Sequence, residues 1–301
     1  MAKSQIVTGG RGRIRTALLF LLPLALFYAV FYLYSFIYVG VASFLNTDAT
    51  LRNPEYVGLD NYELPLTHDR FYIAMFNTIA FALVAILAAV TIGFFLAVVL
   101  STKMRGHQFF YAVFFLPALM PMSLVASVFA VMLASRFGTV NEILRFVGLD
   151  EFTQRWLGDP TLAWISVAMI FVYVIGLPIM YYTADLSTIN ISLLEAAVVD
   201  GAGPWPLFRL ILFPLTSAAR KTIILSILLG TFRAFEIVYL STGGGPSGRT
   251  EIAGTYLYNF ATSGVNVGYV AAASVIVLLI ALAISLVNLT LQKRADARSG
   301  A

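Results

Sequence analysis

Apolar residues run along this chain in blocks rather than in alternation. Six blocks are long enough to cross a bilayer as helices, which takes about 20 residues. They are Leu18–Val41, Tyr72–Ser101, Phe109–Ala134, Leu162–Tyr182, Thr222–Leu240 and Val267–Leu291. Lipid offers no partner to a free amide or carbonyl, so each block is expected to be helical. The lack of polar–apolar alternation argues against a β-barrel. Pro23, Pro117, Pro121 and Pro178 fall inside blocks and are expected to kink them. The first block follows Lys3, Arg11, Arg13 and Arg15, as the core of a signal peptide would. It is longer than the roughly 7–15 residues of such a core, so it reads as an uncleaved span.

Composition agrees with one polytopic membrane domain. Of 301 residues, 60% are hydrophobic and 11% charged, against about 25% charged in soluble domains. There is no cysteine, which excludes disulfides and thiolate-bound metal. His68 and His107 fall on opposite sides of the predicted membrane, so no histidine metal site is expected. The predicted organisation is a basic N-terminus at 1–17, a six-helix transmembrane body at 18–291 and a C-terminal tail at 292–301.

Charge then orients the spans. One side carries the cations Lys3, Arg11, Arg13, Arg15, Lys103, Arg105, Arg209, Arg220, Lys221, Lys293, Arg294 and Arg298 against only Asp185, Glu195, Asp200 and Asp296. The other side holds Arg52, Arg70, Arg136, Arg145, Arg155 and Arg249 against Asp48, Glu55, Asp60, Glu63, Asp69, Glu142, Asp150, Glu151, Asp159 and Glu251. Both termini are expected in the cytoplasm, as an even number of spans requires.

The loop between the fourth and fifth blocks has its own pattern. Ser192-Leu-Leu-Glu195 reads as a capping box, in which each side chain serves the other residue's amide. Leu193 to Asp200 then makes about two turns, and Gly201 fits a left-handed helix stop. Gly203-Pro204 resembles a second start with proline at the first helical position, and Pro214 is expected to bend the chain. A helix this short is marginal in water and needs a surface. Helices that lie on lipid are usually rich in cations, whereas this one carries Glu195 and Asp200 and meets no cation before Arg209. A protein partner fits better.

The stretch "EAAVVDGAGPWPLFRLILFP", Glu195 to Pro214, resembles the EAA loop of ABC importer permeases. "YVGLDNY" (Tyr56 to Tyr62), "FYIAMFNT" (Phe71 to Thr78), "FFYAVFFLPALMP" (Phe109 to Pro121) and "FEIVYLSTGGGP" (Phe235 to Pro246) resemble its carbohydrate-uptake subgroup, the maltose-type, binding-protein-dependent permeases. Phe213 stands where leucine is usual, and Ala218 where proline often is. The resemblance implies an all-α polytopic membrane protein with six transmembrane helices, the type I ABC importer transmembrane domain. Its loop at 192–215 would form a cytoplasmic coupling helix docked in an ATPase cleft, with Glu195, Ala196, Ala197, Asp200 and Gly201 in that role. The implied partners are a second homologous permease, an ATPase dimer that binds ATP and Mg, and an extracytoplasmic solute-binding protein. The bilayer and a sugar-like solute complete the set, and nucleic acid is not expected. The chain itself would carry no cofactor and no catalysis, and would sit in a bacterial or archaeal plasma membrane.

Other residues bear on a solute pathway. Arg233 and Glu236 are the opposite charges inside a block. Three residues apart, they are expected on one helical face, either as a pathway site or as a structural ion pair between helices. Asn77, Thr78, Ser123, Ser127, Tyr173 and Tyr182 offer amides, hydroxyls and aromatic faces suited to sugars, or else to interhelical contact. "GGGPSGRT", Gly243 to Thr250, nearly matches a phosphate-binding loop but has Arg249 for the lysine and no preceding strand; it reads as a turn. A self-contained secondary transporter or channel is the rival reading. It would need an ion site of its own, and Glu236 is the one carboxylate within a block. A membrane-embedded enzyme would need a catalytic cluster, which the sequence lacks.

Overall fold

A computed structural model describes residues 11–48, 54–102, 105–264 and 266–299. Lys3, Arg52 and Lys103, used in the charge argument, lie outside the described residues, as do 1–10 of the basic N-terminus and the last two residues of the tail. Most of the described chain is helical. It divides into two compact units, Met1–Pro65 with Gly264–Ile276, and Leu66–Ser263 with Val277–Ala301.

In the first unit the span Arg15–Ala42 leads into a short ladder, Leu45–Asn46 antiparallel to Glu55–Tyr56. Asparagines tie this region together. Asn61 donates through Nδ2 to the carbonyls of Ser43 (3.0 Å) and Leu45 (2.9 Å). Asn266 Oδ1 accepts the amides of Thr47 (3.1 Å) and Gly268 (2.7 Å). The motif "YVGLDNY" therefore runs from the second strand through a tight turn into the helix Asp60–Thr67, in whose first turn Asn61 is buried.

In the second unit, Asp69–Ser101 and Pro160–Leu186 are each long and apolar enough to cross a membrane, as is Val267–Arg294, which belongs to both units. Two further spans are broken. His107–Leu119 and Met122–Met132 meet at 101°, and Pro204–Leu215 meets Ser217–Phe232 at 66°. Counting each bent pair once gives the six spans expected. The predicted block Phe109–Ala134 is thus two helices, not one kinked helix. Pro121 disfavours helical geometry at the residue before it, and Met120 is extended there (φ −78°, ψ 142°). Asp159 starts the fourth span by accepting the amides of Thr161 and Leu162, both at 2.9 Å, with Pro160 in the first turn.

Close approach rather than water exclusion holds such helices together in lipid, and small residues permit it. Ala74, Ala82, Ala85, Ala89 and Ala97 are all buried along Asp69–Ser101. Two side-chain clusters complete the unit. One is built on Phe81, Val125, Val167, Ile170 and Val238; the other on Phe94, Ile179, Tyr182, Leu212 and Ile223.

Candidate functional site: a capped loop helix and a cavity at a helix break

The loop helix spans Ile191–Val199. Its N-cap is Asn190, in extended geometry, whose Oδ1 accepts the Ser192 amide at 3.0 Å. This corrects the capping box expected at Ser192 and Glu195. Asparagine is among the strongest N-caps, and with Asn190 in that place Ser192 is already the second helical residue. Glu195 is exposed, and its side chain makes no hydrogen bond or ion pair among the described residues. Its carboxylate is free for an external partner.

The helix ends as expected. Gly201 has φ +87°, its amide reaches the Val198 carbonyl at 3.0 Å, and the Ala202 amide reaches Ala197 at 2.9 Å. These two bonds make a Schellman stop, which glycine permits at little cost. Gly203 then precedes Pro204, and the chain turns helical again through Leu215, with a π stretch at Leu207–Leu212.

One face of the loop helix points inward. Leu194 packs on the Phe94–Tyr182–Leu212 cluster, and Ala197 is half-buried. The other face presents Glu195, Ala196, Val199 and Asp200 to the outside; Val199 is 86% exposed.

The following segment is locked to the spans. Phe208 and Phe213 pack on Phe94 with ring centroids 4.8 and 5.3 Å apart. The Arg220 guanidinium lies 4.1 Å over the Phe213 ring and donates to its carbonyl at 2.8 Å. Asp185, at the end of the fourth span, accepts the Ala219 amide at 3.1 Å. A carboxylate at a helix start is favourable both as a hydrogen-bond acceptor and against the helix dipole. The segment that follows the loop helix is therefore fastened to two spans by aromatic packing and two polar bonds.

The fifth span does not run to Leu240. Its helix stops at Phe232, and a new one, Glu236–Ser241, starts after Arg233–Phe235. Arg233 and Glu236 accordingly do not share a helical face, and they form no ion pair among the described residues. The break is accommodated by the helix Ala253–Thr262. Gly254 sits so close that a Cβ would lie 2.4 Å from the Ala234 carbonyl oxygen. Both charges instead line one cavity of about 480 Å³, whose walls include Phe171, Tyr181 and Ile227, with Ser226 and Thr231 as neutral polar groups.

The other pathway candidates are scattered. Ser123 and Ser127 are exposed on Met122–Met132, with Ser127 Oγ bonded to the Ser123 carbonyl at 2.8 Å. Tyr173 packs edge-to-face on Phe129, centroids 5.0 Å apart. Thr78 and Tyr182 are buried in the helix packing. Asn77 is buried with every strong valence used. Its Nδ2 donates to the carbonyls of Arg249 and Glu251, both at 2.9 Å, and its Oδ1 accepts from Trp164 Nε1 at 3.0 Å. Its role in the fold is to hold the loop after the fifth span. The "GGGPSGRT" stretch is indeed a turn, and it follows helix rather than strand.

The six helical spans, with a capped loop between the fourth and fifth, define a multi-pass membrane protein. Residues 89–297 match the family described as "Binding-protein-dependent transport system inner membrane component". The chain is 36% identical over 238 residues to the probable ABC transporter permease protein YurN of Bacillus subtilis, covering 78% of this chain and 81% of that one. It is 27% identical over 278 residues to the multiple sugar-binding transport system permease protein MsmF of Streptococcus mutans, covering 91% and 94%. In fold it is similar to a chain of a bacterial alginate ABC transporter crystallised in complex with an alginate pentasaccharide-bound periplasmic protein. That match has a TM-score of 0.82 at 22% identity and covers 94% of this chain and 96% of that one. The chain belongs to the binding-protein-dependent transport permeases, and is a multi-pass membrane subunit of an ABC importer.

Proposed function

We propose that this permease forms part of the translocation pathway for a sugar or oligosaccharide, and that the helix Ile191–Val199 couples it to a cytoplasmic ATPase dimer. The observation that carries the reading is that helix itself. It is capped at both ends, tied inward through Leu194, and turns Glu195, Ala196 and Val199 outward without a side-chain partner among the described residues. A short stiff helix transmits a displacement that a floppy loop would absorb.

ATP and Mg bind to the ATPase in this scheme, and a second homologous permease completes the pathway. An extracytoplasmic binding protein delivers the solute, and both termini of this chain are cytoplasmic. Support for a sugar comes from the name of the Streptococcus mutans relative and from the oligosaccharide bound in the alginate system. The cavity at Arg233 and Glu236 suits such a solute. Aromatic and aliphatic walls meet sugar faces, and two free charges with neighbouring hydroxyls meet sugar hydroxyls.

The test is sugar uptake into proteoliposomes. Uptake is expected only when this chain, the second permease, the ATPase dimer and the loaded binding protein are present with ATP. Uptake by this chain alone down an ion gradient would establish the secondary-transporter reading instead.

A further inference from the structure

The "GGGPSGRT" turn places a cation where transport does not call for one. Arg249 is exposed, and among the described residues its guanidinium has neither a hydrogen bond nor an ion pair. Its backbone is nonetheless firmly held. Its amide bonds to the Pro246 carbonyl at 3.0 Å, and its carbonyl accepts from Asn77. Through its Oδ1 the same Asn77 also fixes Trp164. One buried amide thus locks both a free cation and an indole at the edge of a single groove of about 450 Å³.

The groove runs between the first turns of two spans. Tyr72 and Phe76 come from the start of Asp69–Ala88, and Trp164 and Ile165 from the start of Pro160–Tyr173. At 1.5 Å per residue these side chains lie about 5–10 Å below the helix starts. They lie near the ends of apolar spans, and aromatic residues of membrane proteins concentrate at the membrane–water interfaces. Phe76 and Ile165 are 68% and 45% exposed, so the groove opens sideways from the helices. Thr161 adds a hydroxyl at the polar end. Asp159, the nearby acid, does not line the groove and has its Oδ1 committed to two helix amides.

The geometry points to a phospholipid site, in which Arg249 and Thr161 take the phosphate and an acyl chain lies along Phe76 and Ile165. A single free arginine at a membrane surface favours an anionic headgroup through charge-assisted hydrogen bonds. Asn77 is the positioning residue for both ends of the site.

Native mass spectrometry of the full chain, released from micelles containing equal phosphatidylglycerol and phosphatidylcholine, tests this. The wild type is expected to retain phosphatidylglycerol in preference. Arg249→Gln is expected to reduce that retention about tenfold, the factor given by one lost charge-assisted bond. Arg249→Lys should keep most of it, and Phe76→Ser should weaken retention of both lipids while leaving the headgroup preference in place. Equal retention of phosphatidylglycerol by wild type and Arg249→Gln would overturn the proposal. So would its displacement by millimolar inorganic phosphate, which would leave a free-anion site. A photo-crosslinker at Ile165 that captured the binding protein or second permease in native membranes, and no lipid, would overturn it as well.

Discussion

Arg70 holds Glu251 by two parallel hydrogen bonds, Nε to Oε2 at 3.0 Å and Nη2 to Oε1 at 2.8 Å. The glutamate side chain is fully buried and the arginine about half exposed, and Asn259 adds a third bond to Oε1 at 3.0 Å. The pair fastens the loop after the fifth span to the start of the second. Removing the arginine would strand a buried carboxylate, which costs about 3 kcal/mol, the low end for a buried pair because Arg70 is partly solvated. Arg70→Met should lower the thermal unfolding temperature in detergent. The double variant Arg70→Met/Glu251→Met should recover much of the loss. A double variant as unstable as the single would contradict this role.

Asn77 supplies three hydrogen bonds within the same region. Asn77→Leu keeps the volume and loses all three, at about 1 kcal/mol each. Hydrogen exchange at residues 249–251 should accelerate, because two of their carbonyl anchors vanish. Unchanged protection there would show that the loop is held by other means.

Gly201 sits at φ +87° with no atom near enough to obstruct a side chain. The cost of Gly201→Ala is therefore backbone strain alone, about 1 kcal/mol. Gly201→Asn should be tolerated better, since asparagine accepts left-handed geometry. ATP-driven uptake should follow the order Gly, Asn, Ala. Equal uptake by all three would show that the stop geometry does not matter to coupling.

The Glu195 side chain makes no bond among the described residues, so Glu195→Gln should leave thermal stability unchanged while lowering uptake several-fold. Glu195→Asp should restore part of it. A fall in stability equal to the fall in uptake would return Glu195 to a structural role.

The span pattern was legible because lipid forces a simple rule on apolar runs: four of the six blocks match unbroken spans closely in extent, and the third matches a pair of helices broken before Pro121. The fifth did not, since its hydrophobicity continues through Ile237 and Leu240 after the helix has stopped at Phe232. Hydropathy reports solvent preference, not hydrogen-bond continuity, so the break that separates Arg233 from Glu236 left no trace in it. The loop helix was legible from its glycine stop, but its start was not. Asn190 and Ser192 are both good caps, and only the geometry of the preceding turn chooses between them. The Arg70–Glu251 pair and the Asn77 anchor join residues more than 170 positions apart, and one sequence carries no sign of such pairings. Charge placed Arg70 and Glu251 on the same side of the membrane, which is as far as it reaches.

The most direct measurement is disulfide or maleimide cross-linking from the loop helix to the ATPase in the assembled transporter. Ala196 faces outward and Ala197 is half-buried against the permease, so the two positions separate docking from mere proximity. Ala196→Cys should give an adduct with a cysteine in the ATPase cleft, with a yield that changes between ATP-bound and nucleotide-free states, and Ala197→Cys should give far less. No adduct from Ala196→Cys in a complex that still transports would contradict the coupling role of Ile191–Val199.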